Sequence, residues 1–392
     1  MKSIAWLLYL RGVKKWNGVF FQMEREKIFR KTVVGVSALA LCLSLASGLV
    51  QPSKSEAFSL GSFGDAVLNT AVEQKKVKDS LDYYENDGRN ELFEEIKKSD
   101  GVVDDAYLNE ELSRIMERLS GTIAQTEPSI KNKPYNYFIN PQAEFNAYCT
   151  LGHNVSVNAG VFSFFDNDEE QIAVVVAHEM VHGQKQHPYK GAQQKMTVDF
   201  VKKVAGSQMN GGSRLAVDVI AKNVKAVGIT KPNEWEADNI AFSYITDAGY
   251  NPGAPAAVWQ KVIDNKGTSK GKGVLDDLLN PSTHPGEKER RDNYAKKLSE
   301  YSNNKVSVNA ASGEVKVNNK LFMKPAAAGS MSALERSYLI AGHLASVYHN
   351  KTATEQAYND SGVVKIGETS IVQATAGDGN ADDLAKILNE IK

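Results

Sequence analysis

Residues 165–184 read FDNDEEQIAVVVAHEMVHGQ, and this stretch constrains the fold more than any other. Ile172 to Ala177 is apolar on every side, which suits a helix buried on most faces rather than one lying on a surface. Asn167 is placed to cap it, with Glu170 closing a capping box at the third helical position. Asp168 and Glu169 put negative charge at the positive end of the helix dipole, and Gly183 is the stop signal. Such a helix obliges the rest of the chain to wrap round it.

The end of this helix carries the chemistry. His178 and His182 are four residues apart, so their imidazoles project from one face, a turn apart, as a clamp for a metal ion. Glu179 is offset by about a third of a turn and reaches a water on that metal without being a ligand. This is the HExxH arrangement of zinc peptidases. The competing reading is chance, since two partly buried histidines among the seven in the chain can be satisfied core residues. Further ligands must decide.

A better ligand lies in Pro232-Asn233-Glu234-Trp235-Glu236-Ala237-Asp238. Pro232 suits a helix start, and Gly249 and Pro252 end the run, so Asn233 to Ala248 is predicted helical. Glu234 and Asp238 share one face; Glu236, two residues from each, points away. Glu234 completes a His, His, Glu set, and Asp238 accepts a hydrogen bond from a ligand imidazole and fixes its tautomer. The bland alternative is an acidic helix face. A metzincin site is excluded, because Lys185 and Pro188 stand where glycine and the third histidine belong; His187 is off register. His153, in a Gly-His-Asn turn, reads as a surface loop residue.

The other elements are read from periodicity. Residues 58 to about 125 are predicted helical, most clearly Asp104 to Leu119. Strands follow at Tyr135 to Ile139, Glu144 to Cys149 and around Val155 and Val157, with a break at Leu151-Gly152-His153. An edge strand here is suited to pairing with an extended peptide. Residues 189 to 230 read as a helical hairpin around Gly211-Gly212, either a mobile cover or static packing; Lys202, Lys203, Asp218, Lys222 and Lys225 oppose membrane spanning. Residues 305 to 323 alternate as a hairpin turning near Ser312-Gly313, Met331 to His349 is an amphipathic helix, and no repeat of tetratricopeptide spacing is found. The class is α+β, mainly α, with a small antiparallel or mixed sheet and a C-terminal hairpin plus helix.

At 392 residues, 42% hydrophobic and 24% charged, the chain is globular, and a net charge of -1 offers no global attraction for nucleic acid. Met23 is a second plausible start. Basic Arg25, Lys27, Arg30 and Lys31 and the uncharged run Thr32 to Val50 lead to Ser55-Glu56-Ala57, a secretory pattern with cleavage after Ala57; an uncleaved anchor is the alternative. Cys42 lies in that run, so cleavage leaves Cys149, a packed core residue, with no internal disulfide.

HEMVH at 178–182, NEWEAD at 233–238 and STHPGEKER at 282–290 together resemble the soluble exported, BepA-like branch of the HtpX-like and CAAX-prenyl-protease-like zinc endopeptidases, which are gluzincins. The resemblance covers roughly residues 100 to 300 and implies a zincin-like metalloprotease core holding one zinc ion. Carried over by position, the ligands are His178, His182 and Glu234, with Glu179 catalytic and Asp238 in support. His284 matches a family histidine near the zinc, stabilising an oxyanion or plugging the open metal position, and Arg290 matches a family arginine. Asn146, Ala147 and the strand with Val155 and Val157 match the substrate-edge region. His153 and Arg291 depart from the pattern, where a small and an aliphatic residue are usual.

The implied function is an exported zinc endopeptidase that hydrolyses peptide bonds by a Glu-activated zinc-bound water. Its substrates would be unfolded or misassembled envelope proteins, in the periplasm, cell envelope or extracellular space. The alternative is a chaperone-like assembly factor with a plugged metal site; a purely structural zinc would have no use for Glu179. The layout expected is a signal peptide or anchor at 1–57, a protease domain at 58–300 and a small C-terminal α/β region at 301–392. Membrane association would run through residues 32–50.

Overall fold

Three helices open the described chain in a computed structural model that describes residues 60–194, 209–210, 214–215, 217, 220–221, 229–268 and 285–392. They are α1 (Leu60–Glu85), α2 (Arg89–Asp100) and α3 (Ala106–Thr126). Helix α3 starts on the side chain of Asp105, which accepts from the Leu108 amide, and buries Leu112, Ile115, Met116 and Leu119, within the segment its periodicity predicts, and Ile123 beyond it. The N-terminal apolar run and the Ala57 cleavage site lie outside the described residues, as does most of the 189–230 segment. Among the described residues no helix is long and apolar enough to cross a membrane.

A small mixed sheet follows, made of β1 (Asn136–Asn140), β2 (Ala147–Thr150) and β3 (Asn154–Asn158). Its order is β1-β3-β2, with β1 parallel and β2 antiparallel to β3. Val155 and Val157 therefore occupy the central strand, fully buried. This corrects their assignment to a substrate edge: both sides of β3 are already paired, and the sheet's edge strands are β1 and β2. His153 is corrected too. It is 5% exposed rather than a surface residue, stacks on Tyr135 at 4.6 Å between ring centres, and bonds through Nδ1 to the Lys133 carbonyl at 2.8 Å.

After a short helix α4 (Ala159–Phe164) comes the central helix α5 (Glu169–Gln184), then α6 (His187–Gln194). Ile172, Ala173, Val174, Val176, Ala177, Met180 and Val181 are all buried, each large aliphatic contributing about 1.5–3 kcal/mol. The N-cap is Asp168, which accepts from the amides of Glu170 and Gln171, and not Asn167, which has a φ of 60°. Nor does Gly183 stop the helix. A Cβ there would meet the Tyr135 ring and hydroxyl at 2.8 Å, so its glycine lets a tyrosine close in and donate to the Met180 carbonyl. Farther on, β4 (Met209–Asn210) pairs antiparallel with β5 (Arg214–Leu215), placing short strands on either side of Gly211-Gly212 where helix was predicted.

Helices α7 (Lys231–Asp247), α8 (Ala254–Asn265) and α9 (Glu287–Tyr301) complete the wrap, with α3, α7 and α8 all packed on α5. Beyond them the chain holds more than the predicted hairpin and helix. β6 (Val306–Val308), β7 (Val315–Val317) and β8 (Lys320–Met323) lead to α10 (Ala333–His349); β9 (Ala357–Asp360), β10 (Val363–Ile366) and β11 (Thr369–Gln373) lead to α11 (Ala381–Ile391). This is one unit twice. Ser312-Gly313-Glu314-Val315-Lys316-Val317 recurs 49 residues later as Ser361-Gly362-Val363-Val364-Lys365-Ile366, and both copies carry a register shift at the Val-Lys step. Each helix covers two strands of its own sheet and the last strand of the other, so the copies interlock.

The C-terminal unit is joined to the helices around α5 through a backbone contact. Val67–Lys392 forms one compact unit. A Cβ at Gly342 on α10 would meet Asn251 Oδ1 at 1.7 Å and the Gly253 nitrogen at 2.4 Å. Gly342→Ala is therefore expected to cost about 1–3 kcal/mol by overpacking. Urea unfolding followed by circular dichroism checks this; an unchanged midpoint would mean the contact yields freely.

Candidate metal centre

Helix α5 presents His178 and His182 from one face, and helix α7, packed across it, presents Glu234. Pro232 in the first turn of α7 costs no internal hydrogen bond, which starts the helix early enough to bring Glu234 to the site. His182 and Glu234 are almost fully buried. Nε2 of His178 and Nε2 of His182 are 3.0 Å apart. Glu234 brings Oε2 to 3.5 Å from the first and Oε1 to 3.6 Å from the second. Zinc bonds of about 2.0–2.1 Å at tetrahedral angles put neighbouring donors about 3.3 Å apart, and the spacing between the two rings, and from each ring to its nearer Glu234 oxygen, is close to that. Two imidazoles and a carboxylate are also a donor set that zinc takes.

Glu179 stands beside this face. Ligand atoms of His178, Glu179 and His182 lie within 4.8 Å of one another. Its Oε2 accepts the Cys149 amide of β2 at 2.9 Å, which anchors the carboxylate to the strand. The Asn146 carbonyl accepts from the Asn158 amide, toward β3. By strand alternation Ala147 and Cys149 direct their backbone groups to the outer edge, where Glu179 stands. Of the proposed edge residues, Ala147 is thus on that edge, Asn146 turns inward, and Val155 and Val157 are one strand away. Burial and the charge of Glu179 push the Cys149 thiol up, which keeps it an inert packed thiol.

A second layer fixes the donors. Asp238, fully buried, lies 3.0 Å from Nδ1 of His178 and accepts Nε of Arg290 at 2.7 Å, with a further bond from Arg290 Nη2. The Tyr294 hydroxyl donates to the same carboxylate at 3.0 Å, and the Arg290 guanidinium lies 3.8 Å from the centre of the Trp259 ring. Burial would raise the Asp238 pKa, but Arg290 and His178 outweigh it and hold the carboxyl below its usual range. Burial also disfavours charge on both rings. Asp238 and Glu234 override this at His178, pushing it up to about 10, whereas His182, buried beside that charge, falls well below the ordinary range. His284 lies outside the described residues.

Two residues that spacing alone sets aside, His187 and Glu236, also belong to the site. His187 is buried, with Nδ1 2.8 Å from Nδ1 of His182, and its Nε2 is 3.1 Å from Oε2 of Glu236. Glu236 does point away from Glu234 and Asp238, but toward a histidine brought in by α6. The signal available was a histidine five residues after His182 and an acid midway between two site acids.

Comparison with known proteins gives a matching picture. Residues 106–297 match the model of Peptidase family M48. The beta-barrel assembly-enhancing protease of Escherichia coli (strain K12) is 24% identical over 162 residues, 39% of this chain and 33% of that protein. The putative beta-barrel assembly-enhancing protease of Vibrio cholerae is 22% identical over 178 residues, 43% of this chain and 36% of the relative. The mitochondrial metalloendopeptidase OMA1 of Arabidopsis thaliana is 23% identical over 193 residues, 49% of this chain and 36% of its own. The chain thus spans about a third of the length of the curated relatives it matches.

Proposed function

Residues 106–297 are a Peptidase family M48 domain, and from that premise we propose that the chain is a zinc-dependent endopeptidase of the gluzincin type with a zincin-like core. The observation that carries this is the convergence of His178, His182 and Glu234 at 3.0–3.6 Å, with Glu179 held alongside by a strand amide. His178, His182 and Glu234 would hold the ion. When bound, zinc polarises a carbonyl and makes water a nucleophile near neutral pH.

The chain's own groups do the rest. The outer edge of β2, through Ala147 and Cys149, pairs with an extended peptide by ladder hydrogen bonds and aligns its backbone across the site. Glu179 takes the proton of the attacking water and delivers it to the leaving amine, two transfers served by one carboxylate fixed at one point. Asp238 holds His178 with its proton on Nδ1, leaving Nε2 as the donor to metal. Arg290 keeps Asp238 ionised inside the fold.

The natural substrates are unfolded or misassembled envelope proteins, a reading supported by relatives named for β-barrel assembly. Export through the segment before Ala57 belongs to the same proposal. Zinc removal tests the whole of it. A chelator should bring cleavage of an unfolded protein to background, and one equivalent of zinc should restore it. Cleavage that persists in zinc-free protein would sink the proposal; zinc binding with no cleavage of any unfolded substrate would favour the holding role instead.

A further inference from the structure

Both nitrogens of the His182 ring are engaged. Nε2 faces the other donors at 3.0 Å from His178, while Nδ1 faces His187 at 2.8 Å. A ligand nitrogen must offer a lone pair, so ligation through Nε2 requires the His182 proton on Nδ1. That proton has to be donated to Nδ1 of His187, which must then be an acceptor. A neutral imidazole that accepts at Nδ1 carries its proton on Nε2, and here Nε2 lies 3.1 Å from Oε2 of Glu236. An ionised carboxylate only accepts. One arrangement of protons therefore satisfies both contacts outward of the metal face, running from Nδ1 of His182 through the His187 ring to a carboxylate at the surface.

We infer that His187 and Glu236 are positioning residues, which select the His182 tautomer able to bind metal. The inference rests on the zinc reading above. Helix α7 then serves the centre three times from alternate positions: Glu234 as a donor, Asp238 directly behind His178, and Glu236 behind His182 by way of His187. Spacing of two residues points Glu236 to another side of α7, and α6 supplies the ring that spans the gap. The relay is asymmetric in burial, since His187 is enclosed whereas the Glu236 side chain is 51% exposed. Glu236 can accordingly be changed without opening the core.

The test uses the polarity of the Glu236 side chain. Glu236→Gln can still turn an oxygen toward His187, and its zinc dissociation constant is expected to stay within about threefold of wild type. Glu236→Lys presents donors only, which forces the His187 proton onto Nδ1 and the His182 proton onto Nε2. Zinc affinity is then expected to fall about tenfold or more. Chelator competition on the full chain measures this, in about 1 M salt, where an exposed charge reaches only about 3 Å. Nitrogen-15 spectra of labelled histidines report the tautomers: His187 should carry its proton on Nε2 in wild type. Wild-type affinity in Glu236→Lys, or a proton on Nδ1 of His187 in wild type, would overturn the inference. Failure of wild type to bind zinc would instead overturn the peptidase reading on which it rests.

Discussion

Glu179→Gln is expected to lower kcat/KM for an unfolded protein substrate by about a thousandfold while one zinc per chain is retained. The two halves of that expectation have separate causes. Glutamine keeps the shape of the side chain and an oxygen able to accept the Cys149 amide, so the anchor between α5 and β2 survives. The donors His178, His182 and Glu234 are untouched, and zinc content should not change. What the amide lacks is a site to take up the water's proton and hand it to the leaving amine. Measured by metal analysis and cleavage rate on the same preparation, loss of both zinc and activity would make Glu179 a ligand. Unchanged activity would place the base elsewhere.

How much of this was legible in the sequence depends on whether a feature is local. The spacing of His178 and His182, and of Glu234 and Asp238, is set by helical geometry alone, and the structure puts each pair on one face of its helix. The apolar run Ile172 to Ala177 likewise announces its own burial, complete but for the partly buried Val175. Strand order is not local: alternation within β1, β2 or β3 does not say that β3 lies between the other two, so it cannot tell that Val155 and Val157 are one strand in from the edge. Burial of a turn is not local either. Composition around His153 says loop, but Tyr135 and Lys133 enclose it. The spacing of Glu236 on its own helix does not reveal its partner, which comes from α6. The C-terminal duplication is legible in principle, since the motif at 312–317 repeats at 361–366, but its period of 49 belongs to β-hairpins rather than to a helical repeat such as the tetratricopeptide.

The largest stability effect should come from Asp238. Its carboxylate, fully enclosed, is the common acceptor for Arg290, Tyr294 and His178, so Asp238→Ala would strand a guanidinium that is itself 3% exposed. Breaking a buried ion pair by removing one partner costs about 3–5 kcal/mol. Glu234, whose Oε2 is 3.8 Å from Arg290 Nη1, is the nearest substitute, and any shift toward that guanidinium draws it from the histidines. Stability and metal binding should thus fail together in Asp238→Ala. Asp238→Asn separates them. The amide fills the same space and can accept from one neighbour, which should recover part of the stability; it cannot serve Arg290 and His178 as a charged acceptor, and zinc affinity should still drop about 10–100-fold. Denaturant unfolding of the metal-free proteins and chelator competition give the two numbers independently. Wild-type zinc affinity in Asp238→Asn would mean that His178 holds its tautomer without Asp238, and that this carboxylate serves the fold alone.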